Sequence, residues 1–410
     1  MLNTILNAAG LDSGTYAKLL GVSPTLLSEW ATAQRPIPES YVPLLCDTLG
    51  VSPDTLFLTP KQVKALDQDR ITPAIWFKFR GENLVGADRE SVILIRQLGY
   101  FQNELEDVTG KKSVAWKNLF DTIRREIDSQ APPVEQGQTA AQILRETTGL
   151  NHGATGIGPL FRGYLRRQGL LIVETPIRES QVEGCSFYVG ARPNERPCVF
   201  ANTYRTTWFR RNRVLMHEVG HAIFDAASAG ASLDFRDAKD ELEISELRAD
   251  SFAQEVLVPR VVLNHVAQSI GIKWASISAR QLAALVAATH VEKSLVLKAA
   301  ASAGFISQEK SEELAKLEIG SLLKEISEHA LSTREFWDSL DDAKRTKLLI
   351  GNRTATKSSR PIRLPVPYVL SVVQAVRDNN ISTGKAAELL MIDERELASR
   401  FGELVEVDEN

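Results

Sequence analysis

In the stretch VLMHEVGHAIFD, residues 214–225, His217 and His221 stand four positions apart, with Glu218 directly after the first. On a helix such a pair lies one turn apart on the same side. Both imidazoles can then reach one Zn²⁺ at about 2.0–2.1 Å. Glu218, one residue further round, is placed to face a metal-bound water, as the general base of the H-E-x-x-H arrangement. A catalytic zinc needs a third protein ligand and one open position. The stretch EISELRADSFAQEVLVP, residues 243–259, supplies candidates. Glu246 and Asp250 are again one turn apart on one face. Glu246 is the expected third ligand, and Asp250 the carboxylate that accepts from the far nitrogen of a ligand histidine. Glu241, Glu243 and Glu255 compete. Glu255 is out of helical phase with Glu246, and Glu243, near one turn before it, is the closest rival.

These residues need two packed helices to carry them. Val214, Leu215, Val219, Ala222 and Ile223 give the first helix, expected over 210–224, an apolar face. Ala249 and Ala253 on the second, expected over 241–257, allow a close approach. Strands are expected at 170–175, 186–189 and 197–201, where Val, Ile, Phe and Tyr are frequent. The segment 197–202 is expected to bind a substrate peptide by strand addition. Residues 139–168 and most of 275–350 read as helical. So do 88–108 and 113–128, and residues 75–79 read as extended. The run from Ala131 through Pro132 and Pro133 to Gly137 reads as a linker.

At 410 residues with 43% hydrophobic content, the chain is too long for one small core. The expected division is 1–60, 61–135 (a helical connector), 136–275, 276–350 and 351–410. The fold class expected is mainly α (α+β), with an N-terminal helical bundle, a metal-binding core bearing a small sheet, and a helical C-terminal region. Cys46, Cys185 and Cys198 include no C-x-x-C pair, which favours a reduced, cytoplasmic compartment. The longest apolar stretch, 281–303, is interrupted by His290, Glu292, Lys293 and Lys298, so no membrane span is expected. No charged-then-apolar leader is read at the start.

In residues 1–60, Gly21 closes one short helix, and Ser23 and Pro24 cap and open the next. Leu19, Val22, Leu26, Leu27 and Trp30 form the apolar side. Helix, three-residue turn and helix make a helix-turn-helix layout. The segment YAKLLGVSPTLLSEW, followed by RPIPESYVPLLCDTLGVSPDTLF, resembles the XRE family of λ-repressor-like domains. The unit over 367–401 repeats the same cadence.

RRNRVLMHEVGHAIF followed by ELRADSFAQEVLVP resembles the ImmA/IrrE family of zinc metallopeptidases, over roughly residues 139–265. That resemblance implies His217, His221 and Glu246 as Zn²⁺ ligands, Glu218 as base, and a gluzincin-like core. It also implies cleavage of a helix-turn-helix repressor, in stress response or in mobile elements. No motif places an oxyanion-stabilising residue. Tyr188, Tyr204 and His265 are the candidates by residue type.

Two functions compete. One is a cytoplasmic zinc endopeptidase acting on a regulatory protein. The other is a non-enzymatic transcription regulator or antitoxin that uses the zinc fold as a scaffold. Glu218 favours the first, because a structural metal does not require it. DNA is a candidate partner for either, although the first domain is poorly equipped for it. Thr25 and Ser28 are the residues placed to reach bases, but residues 24–30 hold no Lys or Arg, and residues 1–60 carry two cations against five acids. Protein recognition or homodimerisation are the alternatives for this domain. Residues 344–363 hold seven cations and no acid, among them Arg353, Lys357, Arg360 and Arg363. This is a solvated linker or a phosphate-contacting strap.

Neutralising Arg353, Lys357, Arg360 and Arg363 together is expected to weaken duplex DNA binding more than Thr25→Ala with Ser28→Ala does. The salt slope should flatten by about 0.9 for each phosphate that is no longer neutralised. Salt titrations of binding to specific and random duplexes measure both. Loss of sequence preference in the Thr25/Ser28 variant would place base reading in the first domain.

Overall fold

The computed structural model describes residues 13–49, 86–149, 158–177, 183–189, 196–204, 206–224, 238–327 and 366–405, with isolated positions 2, 3, 6, 56 and 364. The extended segment expected at 75–79 and the basic positions Arg353, Lys357, Arg360 and Arg363 lie outside them.

The chain divides into two compact units. One comprises Met1–Lys112, Val173–Cys198 and Ala355–Asn410, and the other Ser113–Ile172 and Val199–Thr354. Both are therefore assembled from separated stretches of sequence.

In the first unit, α1 (Ser13–Leu20) and α2 (Pro24–Ala31) are joined by Gly21, Val22 and Ser23. Gly21 takes φ +70°, which a residue without Cβ adopts at little cost. The Ser23 hydroxyl accepts from the Leu26 N–H at 3.1 Å, and Pro24 opens the helix. Leu27 and Trp30 are buried, as their spacing requires. Helix α3 (Val42–Leu49) packs beneath, where the hydroxyls of Tyr16 and Thr48 lie 2.6 Å apart. The long α4 (Gly86–Val108) runs against α3. Near the C-terminus, α15 (Val366–Arg377), α16 (Thr383–Leu389) and α17 (Glu394–Val405) pack on one another.

In the second unit, α5 (Trp116–Glu126), α6 (Pro133–Thr147) and α7 (Gly158–Gln168) precede α8 (Trp208–Phe224) and α9 (Ala238–Leu257). Then come α10 (Arg260–Ile270), α11 (Ala279–Thr289), α12 (Lys293–Ser302), α13 (Gln308–Ala315) and α14 (Gly320–Ile326). Apart from the helices of either unit, the described residues form one sheet of β1 (Leu171–Thr175), β2 (Gly184–Val189) and β3 (Arg196–Asn202), in the order β1-β3-β2.

That order corrects the expectation for residues 197–202. Strand β3 is the central strand, and all seven of its residues are buried. Its backbone groups face strands on both sides, so it cannot take on a further one. The outer strands are β1 and β2. The continuous apolar run PCVFA fits a fully buried central strand better than an edge.

The expected linker is also corrected. Pro133 occupies the first turn of α6, a position that needs no N–H donor, and Gln136 and Gly137 are buried within that helix. Proline and glycine read as breakers here, yet each has a place in this helix. Gly137 lies where α6 presses on α9. A Cβ there would fall on the Ser251 Oγ and the Arg248 carbonyl, with the Phe252 nitrogen at 2.9 Å. The three cysteines are buried and form no disulfide. Among the described residues, no helix is long and apolar enough to cross a membrane.

The α6–α9 contact admits no side chain at position 137. Gly137→Ala should therefore cost about 1–3 kcal/mol of stability through overpacking. Gly220→Ala, described below, meets looser neighbours and gains up to about 1 kcal/mol of helix propensity. Denaturant unfolding of the two variants should rank Gly137→Ala as the more damaging. The reverse order would contradict this packing.

Candidate metal centre

Helix α8 presents Leu215, Met216, Val219, Ala222 and Ile223 to the core. Val214, expected with them, is only half-buried. Helix α9 answers with Ala249, Phe252, Ala253 and Val256, all buried. The two helices meet at Gly220, inside the H-E-x-x-H stretch itself. A Cβ on Gly220 would stand 3.0 Å from the Ala249 Cα and 3.3 Å from its Cβ. At the C-terminal end of α8, the Arg124 Nε donates to the Ile223 carbonyl at 2.6 Å. A cation satisfying the last carbonyls complements the negative end of the helix.

This packing brings three ligand atoms together. His217, His221 and Glu246 each offer one atom, and the three lie within 4.8 Å of one another. The Nε2 atoms of the histidines are 3.0 Å apart. Glu246 Oε2 lies 3.4 Å from His217 Nε2, and Oε1 lies 3.3 Å from His221 Nε2. Ligand atoms about 2.0–2.1 Å from a tetrahedral ion stand roughly 3.3–3.4 Å apart; the two Glu246 contacts match this, and the histidine nitrogens, at 3.0 Å, stand slightly closer. The tautomers fit as well. His217 Nδ1 faces Asp250 Oδ1 at 3.0 Å, and a carboxylate there accepts a hydrogen bond from Nδ1–H. His221 Nδ1 faces the Ser245 Oγ at 3.2 Å. With both Nδ1 protons turned outward, both Nε2 lone pairs turn inward, and a cation between them removes their repulsion.

The electrostatics follow from the same contacts. Burial opposes the charged form of His217, but Asp250 and Glu246 outweigh it and raise its pKa. Burial likewise opposes ionisation of Glu246 and Asp250. The two histidines hold the Glu246 carboxyl well below its ordinary range. His217, Arg213 and Lys298 do the same for Asp250. Both carboxylates are thus anionic at neutral pH, as a ligand and its supporting acceptor must be. Glu218 is buried beside His217, at 9% exposure.

The rival carboxylates are placed differently. Glu255 bonds Gln142 and lies beside Arg145, while burial raises its pKa. Glu243 sits in α9, and its side chain and that of Glu241 are outside the described ones. Of the three oxyanion candidates, Tyr188 lies in β2 and is half-buried, Tyr204 follows β3 and is half-buried, and His265 is exposed on α10. Thr25 and Ser28 are exposed on α2.

Sequence reasoning missed Ser245, Arg213, Glu292 and Lys298. Arg213 Nη2 lies 3.4 Å from Asp250 Oδ1, and its Nη1 2.7 Å from Glu292 Oε1. Lys298 Nζ lies 3.7 Å from Asp250 Oδ2. Arg213 had a readable signal, since it precedes His217 by one helical turn. Ser245 had only its place beside Glu246.

Residues 165–286 match the model of the IrrE N-terminal-like domain, Peptidase_M78. The chain therefore carries such a domain over a minority of its length, including α8, α9 and the whole sheet. The matched stretch begins and ends later than the resemblance read from the sequence. No curated protein and no solved structure matches the chain significantly. The IrrE N-terminal-like domain and its His217-Glu218-x-x-His221 cluster support zinc metalloendopeptidase activity.

If Glu246 is the third ligand, the purified protein should hold about one zinc per chain. Glu246→Ala should lower that occupancy more than Glu243→Ala. Metal analysis of both variants checks this, and zinc lost from Glu243→Ala alone would reassign the ligand.

Proposed function

We propose that this protein is a cytoplasmic zinc endopeptidase that cleaves a helix-turn-helix repressor, in stress response or in a mobile element. The observation that carries the reading is Glu218, buried beside the paired histidines on the helix that supplies them. A metal serving structure alone has no use for a base at that position. The substrate class rests on the likeness to ImmA/IrrE peptidases and to XRE-family domains. The turn between α1 and α2, with Gly21 left-handed and Ser23 as cap, supports the second likeness. An N-terminal module of this kind would recruit a related repressor, or DNA through Thr25 and Ser28, or a second copy of the chain.

Held by His217, His221 and Glu246, Zn²⁺ would supply Lewis acidity toward the scissile carbonyl and acidify a water. Glu218 would take the proton of the attacking water and pass it to the leaving amine. Asp250 holds the His217 ring in the tautomer that keeps Nε2 available. Tyr188, Tyr204 and His265 are the proposed sources of an oxyanion donor. Tyr204 is the half-buried one of them in the same unit as the zinc ligands.

Glu218→Gln should keep the fold and the zinc, because Glu218 is not a ligand. Its amide cannot accept the water proton, so cleavage should fall about 10²–10⁴-fold while partner binding persists. His217→Ala should instead lose zinc, and stability with it. The assay mixes each variant with candidate helix-turn-helix partners, with and without chelator, and looks for a discrete fragment. Equal effects of wild type and Glu218→Gln on the partner would favour the non-enzymatic regulator.

A further inference from the structure

The polar chain behind His217 continues past Asp250. Arg213 sits one turn before His217 on α8 and uses the two arms of its guanidinium on two carboxylates. One arm donates to Asp250 at 3.4 Å and the other to Glu292 at 2.7 Å. A planar fork can bridge two acceptors in this way, whereas the ammonium of a lysine is a single point charge. The groups are neither fully exposed nor fully buried. Arg213 has 26% of its side chain exposed, Asp250 22% and Glu292 16%. Lys298 also reaches Asp250, but at 3.7 Å and 53% exposed it is a weakly held, screened charge.

Glu292 is itself well fixed. It is the residue before α12, with extended backbone, and directly follows the turn that closes α11. That turn is held against α8 at two places. The Asn212 Nδ2 donates to the His290 carbonyl at 2.9 Å. The rings of Phe209 and His290 stack with centroids 5.9 Å apart. Arg162 donates in turn to the Asn212 Oδ1 at 2.7 Å, which fixes the amide's orientation. His290 takes φ +57°, unusual for a residue with a side chain, and the surrounding contacts hold it there.

We infer that Arg213 is a positioning residue of the metal centre: anchored by Glu292, it holds Asp250 against Nδ1 of His217 and thereby sets the orientation of that ligand. The inference rests on the zinc reading given above. It makes the turn at 290–292, distant in sequence from the ligands, part of what determines metal affinity.

The test measures zinc affinity of the full-length protein by chelator competition, and the visible absorption of its Co²⁺ form. Partners that orient a ligand typically affect metal affinity about 10–100-fold, and Arg213→Ala should fall toward the low end, because it acts through Asp250. Its Co²⁺ spectrum should change with the altered ligand geometry. Asp250→Ala should cost more. The double variant should be no weaker than Asp250→Ala alone, because the two residues act in series. Glu292→Gln should weaken binding in the same direction by a smaller factor.

If the losses from Arg213→Ala and Asp250→Ala multiply in the double variant, Arg213 supports the fold independently and the inference fails. It fails too if Arg213→Ala matches wild type in affinity and spectrum. Should Arg213→Ala not fold, Arg213→Lys decides. Retaining charge without the fork, it should bind zinc with reduced affinity, and wild-type affinity would overturn the inference. Failure of the wild-type protein to bind either metal would overturn the zinc reading itself, a distinct result.

Discussion

The near-contact of two helix backbones at Gly220 and Ala249 is the constraint on which the metal centre depends. His217 and His221 belong to α8, while Glu246 and Asp250 belong to α9. Helices carrying ordinary side chains pack with axes about 8–10 Å apart. A glycine facing an alanine lets this pair come close enough that a Cβ on Gly220 would stand 3.0 Å from the Ala249 Cα. Glu246 then reaches both histidine rings at once, with separate oxygens at 3.3 and 3.4 Å. The residue enabling this lies between the two ligand histidines, so the motif carries part of its own packing instruction.

Placing charge in this half-buried crevice is opposed by desolvation for His217, Glu246, Asp250 and Arg213 alike. The structure offsets that cost by alternation. Glu246 faces two histidines, Asp250 faces His217, Arg213 and Lys298, and Arg213 faces Asp250 and Glu292. Such an array differs from the surface pair Arg35–Glu29, 3.6 Å apart with the Arg35 side chain 62% exposed. Removing one member of a buried array leaves its neighbours uncompensated, and that penalty exceeds anything an exposed pair contributes.

The metal-capable cluster is legible in the sequence because helical periodicity alone fixes which side chains share a face. His217 with His221, and Glu246 with Asp250, are each four apart, and the structure joins all four. The turn at Gly21–Ser23 is legible for a similar reason, since the cap and the left-handed glycine are local. What depends on long-range placement is not. The apolar run PCVFA points to a buried strand, but nothing in it says which strands flank it, so the expectation that it takes on a substrate strand fails at the sheet order. Proline and glycine at 133 and 137 read as breakers: the proline's role as a helix start is local and readable, but the glycine's role as a crossing point exists only once α9 is in place. Glu292 and Lys298 lie some eighty residues beyond His217, and no local pattern connects them.

Helix α9 is gripped on two sides at the level of single atoms. Gly137 of α6 lies on Ser251 and Arg248, and Gly220 of α8 lies on Ala249. A one-turn slip of α9 would move it about 5.4 Å and carry Leu247 or Glu255, both larger than Ser251, to the place Ser251 takes against Gly137. The contact at Gly137, already closed to a single Cβ, has no room for either. The register of α9 is thus locked from the α6 side, as a key is by a ward. What fixes where Glu246 stands therefore includes a glycine on a third helix, one that makes no part of the metal-capable cluster.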